Sequence, residues 1–437
     1  MDMKVENLER HWLPFTNNRE FKREPRLFVR ASGMHYYTPG GRKVLDASSG
    51  LFTSAAGHCR PEIAAAVARQ LETLDFTPSF QRSHPGAFEL ADGVAALTPA
   101  GLDHVFFCNS GSEAVDTAMK VALAYHLARK EGQRNYFVSR ERAYHGVNIG
   151  GTALGGMVRN REVFGALMPG VLHLRHTLLP ENRLTRGMGA KGAELADDLM
   201  RFVNLAGEKR IAAVFVEPIA GSTGVIVPPR GYLERLREIC TRYGILLVFD
   251  EVICGFGRTG EAFGATSFGV TPDLITMAKA LTNGAQPMGA VAVRADIYRT
   301  ILDAAPEGMP EFFHGYTYTA HPAACAAGLA TLEIYRKEQL FARGRDLSGY
   351  FLDRMFALGD LPAIADVRGF GMLAGVEVKP GKAPGLRGQE LQARLYDRGL
   401  HVKTTGDVAI MAPALIASRA DIDAMADMLR EAIAEYS

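Results

Sequence analysis

Five short apolar runs constrain this chain most: His104–Cys108, Ile211–Val216, 245–249, Leu274–Met277 and 290–293. Each has the length and bounds of a buried strand, and helical stretches separate several of them. The clearest helix is predicted over Tyr232–Tyr243, with Leu233, Leu236, Ile239 and Cys240 on one face and Gly244 as its stop. Apolar strands alternating with helices imply an α/β fold, a mainly parallel sheet covered on both faces.

The two ends of the chain read differently. Residues 27–46 form short strands broken at Ala31-Ser32-Gly33 and Thr38-Pro39-Gly40-Gly41, and a helix starts at Pro61 with Ile63, Val67, Leu71 and Leu74 on one face. Beyond about residue 330 a helical stretch leads to a strand at 371–378 and a strand pair around Val408–Met411. The last helix opens at Ser418 and Asp421 and turns Ile422, Met425, Leu429 and Ile433 inward. With 437 residues the chain suits two domains. The expected division is a large domain over 59–328 and a small α+β domain from 1–58 and 329–437.

Composition excludes several classes. Lys and Arg total 49 against 48 Asp and Glu, so no basic excess recommends nucleic acid or an acidic membrane as partner. Residues 1–10 lack the apolar stretch of a signal peptide, and no run reaches the roughly 18 apolar residues of a membrane span. Five scattered cysteines without a C-x-x-C pair argue against a disulfide scaffold or zinc site and fit a reducing compartment, so the cytoplasm is expected.

In parallel sheets ligands bind at the carboxyl ends of the strands, so the polar residues that follow the apolar runs are the candidates. They are Ser110-Gly111-Ser112, Glu217, Asp250 and Lys279. The Ser-Gly-Ser turn opens a helix through Val115, Met119, Leu123 and Leu127, and a glycine plus free N–H groups at a helix start suit a phosphate. The S-x-x-E spacing of Ser110 and Glu113 equally describes a helix cap, and the two uses coexist. Asp250 at the end of an apolar strand needs a cation or strong donor. A protonated pyridine nitrogen is one such partner; a salt bridge to Arg258 is the other reading. Lys279 is a surface lysine or, if desolvated, an amine able to attack a carbonyl. Tyr144, in Tyr144-His145-Gly146, either stacks on an aromatic cofactor or belongs to the core. His173-Leu174-Arg175-His176 lacks an acidic partner and reads as structural or surface rather than metal-binding.

Taken together, HVFFCNSGSEAVDTAMK (104–120), YHG (144–146), FVEPIAGSTGV (215–225), LLVFDEVICGFGRTG (246–260), DLITMAKALTNG (273–284) and FFHGYTYTAHP (312–322) carry a resemblance over nearly the whole chain. The sequence resembles the class III (ω-amino acid) aminotransferases of the fold-type I pyridoxal 5'-phosphate enzymes, nearest to the ω-amino acid or β-alanine:pyruvate group. The resemblance implies ping-pong transfer from an ω-amino acid or amine to a keto acid such as pyruvate. It implies Lys279 as the Schiff-base lysine, Asp250 on the pyridine nitrogen, and Val252 and Tyr144 on the two ring faces. Ser110, Gly111 and Ser112 then hold the phosphate with Thr317 of a second subunit, while His145 and Glu217 lie beside the cofactor. A homodimer or dimer of dimers is implied, with Phe80 also crossing the interface.

Two departures bear on substrate. Phe52 stands where many relatives have a Trp in the pocket wall, and Lys403 where they have a mobile Arg for the substrate carboxylate. A lysine lacks the planar fork for bidentate recognition. The alternatives are another class III enzyme, acting on taurine, a diamine or γ-aminobutyrate, and an aminomutase, racemase or decarboxylase that needs no acceptor. Outside this chemistry stands a non-catalytic phosphate-binding protein using Ser110–Ser112 alone.

Overall fold

The computed structural model describes residues 8–165 and 167–436, so most of the segment read for a signal peptide, residues 1–7, lies outside the described residues. At the centre is a seven-stranded sheet in the order His104–Cys108, Gly289–Val293, Leu274–Met277, Leu246–Asp250, Ile211–Val216, Tyr136–Arg140, Val171–Leu174. The last five run parallel; Gly289–Val293 is antiparallel to both its neighbours. Every residue of the four strands from Gly289–Val293 to Ile211–Val216 is buried, which is why their sequences are apolar throughout, Thr276 and Asp250 apart, instead of alternating. Each buried Val or Phe there contributes about 1.5–3 kcal/mol.

Two boundaries move outward by one residue, and both matter to the site. Asp250 belongs to the ladder, opposite Thr276, so its side chain is fixed by the sheet. Gly289 pairs with Cys108, and a Cβ there would lie 2.3 Å from the Ser110 carbonyl oxygen, so only glycine lets this strand pass the Ser110 turn.

Two helix faces differ from the periodic reading. The helix Gly111–Ala128 buries Ala114, Val115, Ala118, Met119, Val121, Ala122 and Tyr125. Small alanines let it lie close on the sheet, while Leu123 (38% exposed) and Leu127 (69%) face outward. In the helix Pro61–Thr73 only Ile63 is buried, and Leu71 is half exposed.

The chain ends build two four-stranded sheets. Arg30–Ser32, His35–Tyr37 and Lys43–Asp46 are antiparallel neighbours, and Leu400–His401 adds in parallel on the last of them. Ile364–Phe370, Leu373–Val378, Val408–Met411 and Lys403–Thr405 form the other. Ser418 and Asp421 make a reciprocal cap at the start of the helix Arg419–Ala434, whose buried residues include Ile422, Met425, Leu429 and Ile433. The five cysteines are free thiols, Cys59 exposed and the others buried. No helix of the described residues is long and apolar enough to cross a membrane.

Candidate active site

The carboxyl ends of the parallel strands open into a cleft with about 500 Å³ of empty space, lined by Gly111, Ser112, Tyr144, His145, Glu217, Asp250, Val252 and Lys279. Gly146, Ile253 and Ala278 complete the lining, and none of the three was read from sequence as a site residue.

The turn before the helix Gly111–Ala128 forms the helix cap and leaves N–H groups free at the helix start. Ser110 Oγ accepts from the Glu113 N–H at 3.2 Å, and the Glu113 carboxylate accepts from the Asn109 N–H at 2.7 Å, so Ser110 is a helix cap. Ser112 Oγ accepts from the Val147 N–H at 3.1 Å. The N–H groups of Gly111 and Ser112 have no acceptor among the described residues, and they sit at the positive end of an 18-residue helix. A Cβ on Gly111 would approach both Val252 methyls at 3.0 Å, so glycine keeps this corner open.

Asp250 is buried and takes a different partner from the Arg258 of the sequence reading. Its Oδ1 accepts from the Val252 N–H at 3.1 Å, and its Oδ2 lies 2.8 Å from His145 Nδ1. Arg258 instead spends its guanidinium on the Pro413 and Met372 carbonyls and Ser49 Oγ. The second nitrogen of His145, Nε2, is 3.0 Å from Ser139 Oγ. A carboxylate can only accept, so Nδ1 carries the ring proton and, in the neutral ring, the Ser139 hydroxyl donates to Nε2. Ser139 was missed in the sequence; a hydroxyl inside an otherwise apolar strand was the available signal, because buried it needs a partner.

Glu217 Oε1 accepts from the Tyr144 N–H at 3.0 Å and Oε2 from the Gly221 N–H at 3.2 Å. Burial pushes its carboxyl up to about 7, with Asp250 adding to the rise and His145 opposing it. Arg140, itself buried, donates to the Glu217 carbonyl at 3.1 Å and so joins the ends of two strands under Tyr144. The Tyr144 phenol is raised by burial and then by Asp250 and Glu217.

Lys279 follows the strand Leu274–Met277 in a left-handed backbone conformation, φ +50°. Its ammonium makes no hydrogen bond or ion pair among the described residues. Burial pulls it below its ordinary 10.5, with Asp250 and Glu217 opposing the fall. In the cofactor-free chain the cost of burying this charge is full below the lowered folded value. Between that value and 10.5 the unfolded chain binds more protons, so stability rises with pH across this window. Lys279→Met is therefore expected to melt above the wild type at neutral pH, with the gap closing as pH rises toward 10.5. Thermal unfolding across pH checks it; a constant gap contradicts it.

The remaining sequence candidates do not line this cleft. Phe52 is buried outside that lining, Phe80 (60% exposed) and Thr317 lie on the surface, and Lys403 is half-buried with its ammonium lowered by burial. His173 Nε2 sits against the Leu154 and Gly155 carbonyls and Arg175 pairs with Asp198, so that motif is used in packing.

Comparison with known proteins points the same way as the geometry. The aminotransferase class-III family profile matches residues 17–433. An omega-aminotransferase of Caulobacter vibrioides is 52% identical over 99% of both chains. An omega-amino acid–pyruvate aminotransferase of Pseudomonas putida is 47% identical over 98% of this chain and 96% of its own. Among solved structures, the omega transaminase from Pseudomonas jessenii in complex with PMP superposes with a TM-score of 0.91 at 31% identity, over 97% of this chain and 96% of that one.

Proposed function

The chain belongs to the class III aminotransferases, enzymes that depend on pyridoxal phosphate, and we propose that it moves the amino group of an ω-amino acid or primary amine to pyruvate. The observation that carries this reading is the half-buried, unpartnered Lys279 sharing one cleft with Asp250 and Glu217 and with the free N–H groups of Gly111 and Ser112.

These residues fit the cofactor: a lysine without a partner, a sheet-fixed carboxylate, and an anion cradle that a Cβ would fill. The bound cofactor supplies an aldehyde to receive amines and a ring that withdraws electrons from the carbon carrying nitrogen. In this proposal Lys279 Nζ would hold the cofactor and, once displaced from it by the incoming donor amine, would be the free base that moves the proton at the reacting carbon. Asp250 keeps the ring nitrogen protonated, and His145 with Ser139 holds Asp250 in place. Tyr144 and Val252 pack the two ring faces, the Ser110–Ser112 turn binds the phosphate, and Glu217 fixes the Tyr144 backbone.

A homodimer, or a dimer of dimers, is part of the proposal, with Thr317 completing the partner's phosphate site and Phe80 its pocket wall. The exposed aromatics Phe76, Phe80, Phe88, Phe313 and Tyr318 support it, since a chain that stays alone rarely leaves so many uncovered. Phe52 and Lys403 are assigned to substrate selection, Lys403 as a point charge for a carboxylate. The cytoplasm is the proposed compartment.

The test is alanine formation from pyruvate by the cofactor-loaded protein with β-alanine, and then with simple amines as donors. No alanine with any of them overturns the reading. Gly146→Ala gives a narrower check. Gly146 has φ +94°, and an added Cβ would lie 2.5 Å from Ser112 Oγ and 2.7 Å from Ser112 Cα. The variant is expected to bind pyridoxal phosphate about tenfold more weakly or worse, a displacement worth about 1.4 kcal/mol. A fluorescence titration measures it, and unchanged affinity removes Ser112 from the phosphate site.

A further inference from the structure

Lys279 stands at the head of a short 3-10 turn, Lys279–Thr282, whose end is fastened to a distant part of the chain. The Gly284 N–H closes the turn on the Lys279 carbonyl at 3.2 Å, and the Tyr335 hydroxyl donates to the Ala280 carbonyl at 2.6 Å. Next to Gly284 is Asn283, a buried side chain with both ends of its amide in use. Its Oδ1 accepts from the Ala56 N–H at 2.8 Å, and its Nδ2 donates to the Gly57 carbonyl at 2.8 Å. The amide thus pairs with the 56–57 backbone as a strand neighbour does. Among the described residues these two bonds are the hydrogen bonds joining the Lys279 turn to the segment 48–57.

Both joined pieces run through the left-handed region, which the glycines adopt freely and which costs energy at Lys279, Ser49 and Phe52. Lys279, Asn283 and Gly284 have φ of +50°, +53° and +72°. Ser49, Gly50, Phe52 and Gly57 have +47°, +69°, +63° and +83°. Such conformations persist only where the surroundings over-determine them. For the segment the outer ties are plain: the Asp46 carboxylate accepts from the Ser48 and Gly50 N–H groups, and Ser49 Oγ donates to the Ala412 carbonyl at 2.7 Å. Those bonds tie it to the end of the strand Lys43–Asp46 and to the residue after Val408–Met411. On the side of Lys279 the ties are Asn283 and the packing of Thr53 on Gly284, where a Cβ would sit 2.9 Å from Thr53.

We infer that Asn283 is a positioning residue, setting where the Lys279 side chain emerges relative to the segment that carries Phe52. The inference rests on the proposed roles of Lys279 and Phe52, and gives this chain one residue governing both the reactive amine and the size of donor accepted.

The test uses Asn283→Gly, which keeps the left-handed backbone and removes both bonds, and Asn283→Asp, which keeps the acceptor for Ala56 and loses the donor to Gly57. Hydrogen exchange of the cofactor-free chain is read first, and faster exchange in peptides covering 56–57 and 279–284 is expected. In the loaded enzyme the pH midpoint of the visible band is expected to shift by about half a unit or more. The ratio of kcat/KM for an aromatic amine to that for β-alanine is expected to change about tenfold. Asn283→Asp sets a carboxylate oxygen against the Gly57 carbonyl, two acceptors with no hydrogen between them, so it should show the same directions, and it decides the matter if Asn283→Gly does not fold. Lower melting temperature with unchanged exchange at 279–284, unchanged midpoint and unchanged ratio overturns the inference. A wild type that shows no band and no turnover sinks the proposed function instead, and the exchange arm still judges the clamp.

Discussion

Lys279→Ala is expected to leave a folded protein whose amine transfer falls on the order of 10⁴-fold or more. Nothing else in the cleft can take over, because Lys279 is the one amine among its lining residues. The loss is chemical and not structural. The ammonium has no partner among the described residues, so truncation strands no hydrogen bond, and it relieves a charge that burial already disfavours. The variant should therefore melt at or above the wild-type temperature while still binding pyridoxal phosphate reversibly. Steady-state rates with thermal unfolding of the same sample check both halves. Turnover within tenfold of wild type would remove Lys279 from its proposed role.

Asp250→Asn is expected to cut kcat by about 10²–10³-fold, the usual cost of losing one preorganised electrostatic contact. The amide matches the carboxylate in shape, and its oxygen can still accept from the Val252 N–H. Its charge is gone, and its NH₂ faces His145 Nδ1, which now carries a proton. Two donors cannot share a 2.8 Å contact, so the ring proton must move to Nε2 and be donated to Ser139 Oγ. A change of His145 tautomer seen by nitrogen NMR is thus the structural signature expected beside the lost rate. A variant with wild-type kcat would show that the charge of Asp250 is not what matters.

Much of this arrangement is legible in the sequence because burial on both faces leaves little choice of residue. The runs at Ile211–Val216 and Leu274–Met277 and the helix Tyr232–Tyr243 stand out for that reason, and the polar residue after each strand marks the cleft. Where polar groups satisfy one another inside the fold, the signal is lost. The strand Ile364–Phe370 went unread because it buries Asp366 and Arg368, which pair with each other at 2.7 Å. Periodicity also cannot separate an apolar residue facing the core from one left uncovered, which is why the repeats that include Leu71, Leu123 and Leu127 do not show that these three are exposed. The partner of Asp250 lies 105 positions away, and the nearer Arg258 serves the Met372 and Pro413 carbonyls. Pair identity of this kind is decided by the packing of strands, not by spacing along the chain.

The absorbance spectrum of the purified, cofactor-loaded protein, before and after adding β-alanine without any keto acid, reaches the central claim most directly. A yellow band that bleaches with the donor and returns on adding pyruvate is expected if Lys279 carries the cofactor and the chain accepts ω-amino donors. A band unmoved by β-alanine and by simple amines would contradict the proposed donor class, and the absence of any band would contradict the role of Lys279 itself.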